Sequence, residues 1–115
     1  MTRIFFYNII AYMEENINKQ LTIERICRDN LVGRSLLQKL FRDNTGCGII
    51  DYFSLMKINA AKQLIRNKKM NFSQIADSLG YNSIHYFSRK FKKLSGMTPT
   101  EYARSIQLIA EHAEK

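Results

Sequence analysis

Apolar side chains recur along this chain at three- and four-residue spacing almost from end to end, and the strict alternation of a half-buried strand is absent. The pattern predicts seven helices, over residues 4–17, 22–30, 34–44, 49–66, 72–79, 83–95 and 99–112, and hence an all-α fold. Several carry their own start signals. Asn71 with Gln74 makes an N-x-x-Q capping box ahead of Ile75. In Thr98-Pro99-Thr100-Glu101 a capping threonine precedes a proline at the first helical position and a glutamate at the third. Gly46 and Gly96 stand where helix C-termini need a left-handed residue.

The elements repeat. Leu21-Thr22-Ile23-Glu24-Arg25-Ile26-Cys27 lines up with Met70-Asn71-Phe72-Ser73-Gln74-Ile75-Ala76, and Leu37, Phe41, Gly46 and Tyr52 line up with Phe87, Phe91, Gly96 and Tyr102. Each copy reads as a short helix, a tight turn, a longer helix, a glycine stop and a helix bearing an aromatic residue. The expected organisation is a first helix-turn-helix subdomain over residues 1–48, a linker helix over 49–66 and a second helix-turn-helix subdomain over 67–115. The linker has no internal Gly or Pro, so it should be a stiff connector.

In the second copy Gly80 can take the positive φ that a three- or four-residue corner needs. Beyond it, Phe87, Phe91 and Leu94 share one face of a helix, and Ile75, Ala76 and Leu79 offer the surface to bury it. His85, Ser88, Arg89 and Lys92 then point the other way, with Ile84 at the edge and Lys90 and Lys93 flanking. A face that mixes hydrogen-bonding groups with cations suits base edges in a DNA major groove, and the flanking lysines suit phosphates. The competing reading is an ordinary amphipathic helix with a wet basic side, which the duplicated layout disfavours.

Charge sharpens this picture. The net charge of +8 is uneven: residues 1–57 hold eight Lys/Arg against six Asp/Glu, whereas residues 58–115 hold ten against four. Between Lys62 and Lys93 eight basic residues face a single acid, Asp77, which points to a polyanionic partner. Other chemistry is not indicated. Cys27 and Cys47 form no C-x-x-C pattern and fit a reduced, cytosolic compartment. His85 and His112 lack companion ligands at helical spacing, so no metal is expected. No paired acids, nucleophile elbow or phosphate-cradling glycine loop suggests an enzyme or a cofactor. No apolar run reaches a membrane-spanning length, and the apolar start lacks a cleavage site.

The stretch from Ile75 to Arg104 resembles the signature of the AraC/XylS family of bacterial transcription regulators. Gly80-Tyr81, Tyr86-Phe87-Ser88-Arg89, Phe91-Lys92-Lys93, Gly96, Thr98-Pro99 and Tyr102 carry the likeness. A looser match runs upstream through Leu21 to Glu24, Phe41, Thr45-Gly46, Tyr52-Phe53, Lys57-Ile58 and Ala61 to Leu64. The resemblance implies two recognition helices, residues 34–44 and 83–95, set into successive major grooves about 34 Å apart by a single chain. It implies base reading by Arg34, Ser35, Gln38 and Lys39 as well as Ile84, His85, Ser88 and Arg89, and phosphate contacts by Arg42, Lys57, Lys90, Lys92 and Lys93. Double-stranded DNA is then the partner, for a monomeric domain, with RNA polymerase as the second contact of an activator. Most relatives also carry a sensing domain, so the chain is either a short stand-alone regulator or the C-terminal module of a longer one.

Two positions depart from the family pattern. The glycine usual in the first turn is Leu31, preceded by Asn30, the next-best residue type for a left-handed conformation. The usual Ser or Thr cap of the first recognition helix is Gly33. Residues 105–115 run past the shared pattern; Ile106, Ile109, Ala110 and Ala113 are expected to extend the last helix and pack on the second subdomain, with a dimer contact as the alternative. The competing function is a helical protein-interaction or RNA-binding module that uses the basic face. RNA modules present exposed aromatics for stacking, whereas Phe41, Phe87 and Phe91 fall at core spacing here.

Overall fold

Helix ends leave backbone groups without partners, and the residues at several of those ends mark where helices of this protein begin or stop. The computed structural model describes residues 2–113 and contains seven helices and, among these residues, no strand: α1 Thr2–Glu15, α2 Ile23–Asn30, α3 Arg34–Thr45, α4 Ile49–Asn67, α5 Phe72–Ser78, α6 Ile84–Ser95 and α7 Pro99–Ala113. The Asn71–Gln74 capping box forms in both directions, at 2.8 and 2.9 Å. Thr98 and Glu101 cap each other in the same way, and the bonds from Thr98 hold the Glu101 carboxyl below its usual range. Gly46 and Gly96 end α3 and α6 in the left-handed region, with φ of 76° and 85°.

The chain divides into two compact units, Met1–Met56 and Lys57–Lys115, and the boundary falls inside α4. In the first, Phe6, Ile9 and Met13 of α1, Ile26 of α2, Leu37, Leu40 and Phe41 of α3, and Ile49 and Phe53 of α4 form a continuous apolar core. The Tyr12 hydroxyl donates to Asp29 at 2.6 Å and ties α1 to α2. In the second, Ile58, Ala61 and Ile65 of α4, Ile75 and Ala76 of α5, Leu79 just after α5, Phe87 and Phe91 of α6, and Tyr102 of α7 are buried.

The sequence repeat becomes a repeat of contacts. Phe41 meets Tyr52 edge-on with ring centroids 5.7 Å apart, and Phe91 meets Tyr102 at the same distance and nearly the same tilt. The hydroxyls of Thr45 and Ser95 both bond back to the carbonyl four residues earlier, on Phe41 and Phe91. Both corners close with the same pair of backbone bonds: Val32 N–H to the Cys27 carbonyl and Leu31 N–H to Arg28, then Tyr81 N–H to Ala76 and Gly80 N–H to Asp77.

What differs is the residue that must turn. Gly80 takes φ of 78° at no steric cost. In the first corner Asn30 stays helical, its side-chain amide donating to the Ile26 carbonyl, and Leu31 itself adopts φ 53°, ψ 48°. Geometry leaves no choice, because the closing bonds fix the left-handed residue one place after Asn30. Leu31 is also 94% exposed, so its side chain recovers little by packing.

The C-terminal expectation is corrected in part. α7 does continue to Ala113, but only Ile106 is half-buried, while Ile109, Ala110 and Ala113 are exposed. The core of the second unit is closed by Tyr102, and the helix outruns the surface available to cover it. The final residues of the expected 105–115 extension lie outside the described ones.

Leu31 makes a direct prediction. A left-handed leucine costs about 1–2 kcal/mol, and part of any relief is returned as added freedom of the unfolded chain. Leu31→Gly should therefore stabilise the protein by about 1 kcal/mol in urea unfolding. A loss of stability would mean that this corner is not held as described.

Candidate nucleic-acid interface

α3 and α6 each have twelve residues, enough for one buried stripe and one free face. On α3, Leu37, Leu40 and Phe41 are buried, and Arg34, Ser35, Gln38, Lys39 and Arg42 are all exposed. On α6, Phe87 and Phe91 are buried, and His85, Arg89, Lys92 and Lys93 are exposed; Ile84, Ser88 and Lys90 are half-buried. The α3 set expected from the sequence thus lies on the uncovered side of its helix, and so do His85, Arg89, Lys92 and Lys93 of the α6 set, whereas Ile84, Ser88 and Lys90 are partly covered.

The starts of the two helices are built differently. Ser83 caps α6 by accepting from the Tyr86 amide at 3.0 Å. Gly33 precedes α3 with extended backbone and supplies no side-chain cap. Exposed polar residues at the head of α6 are therefore displayed from a first turn with a side-chain cap, and those of α3 from a first turn without one.

The cations differ too. Arg34 already binds the Glu24 carboxylate at 2.9 Å, and Lys39 binds Asp43 at 3.0 Å, one turn further along α3. Both pairs are solvent-exposed, a setting in which such contacts contribute about 0–1 kcal/mol. An arriving phosphate or guanine edge can displace them at small cost. On α6, Arg89 and Lys93 have no ion pair among the described residues.

Lys57 requires a correction. It was expected at a phosphate, but it is 7% exposed, and its ammonium donates to the Leu79 carbonyl and lies 5.3 Å from the centre of the Tyr81 ring. The cause is its register on α4. Phe53, Lys57, Ala61 and Ile65 recur every four residues, so Lys57 belongs to the inward ladder. That spacing was visible in the sequence and was the signal for its true position. Burial lowers the Lys57 pKa to about 8 and raises that of the neighbouring Tyr81 to about 12, the latter with help from Tyr86.

Two more members of the basic run are engaged in structure. Arg66 donates to the Tyr102 hydroxyl at 2.8 Å, and Lys62 and Arg66 both lie within 6 Å of the Tyr102 ring centre, at 5.7 and 5.9 Å. Among the described residues no group of three His, Cys, Asp or Glu could hold a metal ion, and no helix is long and apolar enough to cross a membrane.

A family model described as a helix-turn-helix domain matches residues 26–105. The transcriptional activator RhaR of Yersinia pseudotuberculosis is 30% identical over 94 residues, which cover 82% of this chain and 32% of RhaR. A DNA-binding transcriptional dual regulator from Escherichia coli K-12, known by its crystal structure, is 32% identical with a TM-score of 0.77 over 90% of this chain and 93% of that one. The DNA-binding domain of AdpA, solved with a target DNA, has a TM-score of 0.80 over 90% of this chain and 93% of that one; at 17% identity it shares the fold. The chain spans about a third of the length of the curated relatives it matches.

The lowered Lys57 pKa predicts a pH signature. In the folded protein Lys57 loses its proton near pH 8, against 10.5 for the ordinary side chain. Between these values the unfolded chain binds more protons, so stability rises with pH across that window. The neutral amine still has hydrogens to donate to Leu79. Relative to Lys57→Met, wild type should gain stability from about pH 8 to about pH 10, with Tyr81 common to both proteins. Denaturation curves at unit pH steps measure the difference, and parallel pH profiles would contradict a buried, easily deprotonated Lys57.

Proposed function

Because the chain belongs to the AraC-type helix-turn-helix family of DNA-binding transcription regulators, we propose that it reads DNA by setting α3 and α6 into successive major grooves and activates transcription through contact with RNA polymerase. The observation that carries the reading is the matched construction of the two helices: each buries an apolar stripe ending in a phenylalanine and leaves uncovered a face of hydrogen-bonding and cationic side chains. That is the chemistry base edges require, since Arg and Lys pair with guanine, Gln with adenine, and an apolar edge such as Ile84 with a thymine methyl.

The assignment of roles follows from position. Arg34, Ser35, Gln38 and Lys39 on α3, and Ile84, His85, Ser88 and Arg89 on α6, occupy the first two turns of their helices and are given to bases. Arg42, Lys92 and Lys93 sit further along, Lys90 stands beside Arg89 at the end of the second turn, and these four are given to phosphates, where a flexible cation needs no fixed geometry. Lys57, being buried, is not among them. An RNA-binding reading is disfavoured by the complete burial of Phe41, Phe87 and Phe91, which leaves them unable to stack on unpaired bases.

One chain carries both reading helices, so the complex should contain one protein per duplex on an asymmetric site of about two helical turns. Sedimentation on a site selected from a random duplex pool gives the ratio, and run-off transcription from a promoter bearing that site tests activation. Two chains on a palindrome would overturn the layout, and transcript levels that fall would replace activation with repression.

Arg89 offers the sharpest test of α6. It is exposed on the uncovered face beside three lysines that suit phosphates, so a base contact is the assigned role. Arg89→Ala should cost about 1–3 kcal/mol of affinity and relax the preference at one base pair, whereas loss of a phosphate contact would weaken all sequences alike and reduce the salt slope by about one. Titrations of the selected site and its single-base variants at two salt concentrations separate these outcomes. Uniform weakening would assign Arg89 to phosphate.

A further inference from the structure

Lys57 remains without a role in DNA contact, yet it occupies a place where an aliphatic side chain would fill the space without the cost of burying an amino group. Two of its neighbours show what an amine can do there. The Leu79 carbonyl lies at the C-terminal end of α5, where the last carbonyls of a helix have no intrahelical donor and carry the negative end of its dipole. Lys57 supplies that donor across 22 residues of sequence. The same ammonium lies 5.3 Å from the centre of the Tyr81 ring. Leu79 and Tyr81 flank Gly80, the left-handed pivot of the corner, and Ser83 caps α6 two residues beyond Tyr81. One side chain from α4 therefore touches both sides of the pivot from which α6 departs.

We propose that Lys57 is a positioning residue for DNA reading: by holding the Leu79 carbonyl and the Tyr81 ring it sets the α5–α6 corner, and through it the direction in which α6 presents Ile84, His85, Ser88 and Arg89. The proposal rests on α6 being a reading helix, as inferred above. It assigns to a buried lysine a part in specificity that its distance from the uncovered face conceals. Misplacement of a reading helix by a fraction of an ångström lengthens every hydrogen bond to a base edge, while phosphate contacts by long side chains adapt. Discrimination should suffer more than affinity.

The experiment compares wild type, Lys57→Met and Lys57→Arg, the last retaining a donor. In the free proteins, amide resonances of residues 79–85 should shift in Lys57→Met and exchange roughly tenfold faster, return toward wild type in Lys57→Arg, and leave the amides of α3 in place. On the selected duplex, preference at the base pairs that respond to Arg89→Ala should fall from about tenfold toward unity in Lys57→Met, while preference at those that respond to Gln38→Ala persists. If Lys57→Met does not fold, Lys57→Gln, whose amide is too short to span the same distance, is measured in its place. Unmoved amides in residues 79–85 would overturn the role of Lys57. So would equal loss at both groups of base pairs in step with lost stability, the signature of a purely structural residue. A wild type that prefers no sequence would instead overturn the reading by α6 on which the proposal stands, and the unchanged response of the free-protein amides would identify that as the failing step.

Discussion

Leu37 and Phe41 on α3, and Phe87 and Phe91 on α6, sit four residues apart with no exposed surface, and the placement of every other side chain on these helices follows from their burial. Twelve-residue helices are marginal in water by themselves, so each must be held by packing an apolar face. Each such buried side chain contributes about 1.5–3 kcal/mol. Once positions 37 and 41 turn inward, helical geometry turns 38 and 39 outward, and the same holds for 88 and 89 beside 87 and 91. The hydrophobic constraint that makes the fold also orients the groups available to DNA.

The two units solve the same problem with unequal local chemistry. In the second, a capping box starts α5, glycine makes the corner, serine caps α6, and threonine and glutamate cap α7. In the first, a leucine is forced into the left-handed region and glycine replaces the side-chain cap of α3. The backbone bonds of the two corners are nevertheless equivalent residue for residue. Tertiary packing therefore overrides local preference at the first corner; in the second unit glycine makes the corner, and the left-handed non-glycine residue, Lys68 at φ 57°, lies outside it, between α4 and α5.

The basic surface is smaller than the basic composition. Lys57 is turned inward, Lys62 and Arg66 lie against Tyr102, and Arg34 and Lys39 are engaged by carboxylates. Some of the charge thus serves to close the second unit, and some must exchange partners before it can serve DNA. Arg89, Lys92 and Lys93 are exposed on one short helix, which concentrates positive charge where a duplex would be met.

Helix number, helix type and the two corners were legible in the sequence, because periodic burial, caps and turn glycines act within a few residues of one another. The Asn71–Gln74 and Thr98–Glu101 boxes and the stops at Gly46 and Gly96 are of this kind. The repeat and the outward set on α6 were legible for the same reason, since a helix has only one face opposite its phenylalanines. Other features depended on how the helices pack. Leu31 turns because the chain must close the α2–α3 corner at that point, Ile109 is uncovered because no core extends beneath it, and Arg34 meets Glu24 only once α2 and α3 are packed. Lys57 lies between the two cases. Its four-residue spacing from Phe53 and Ala61 marked it as inward, but the Leu79 carbonyl that makes a buried amine tolerable is brought to it by the fold alone. Sequence determined which faces are apolar; tertiary structure decided which polar groups those faces would carry inside, because hydrogen-bond partners must be present before burial becomes possible.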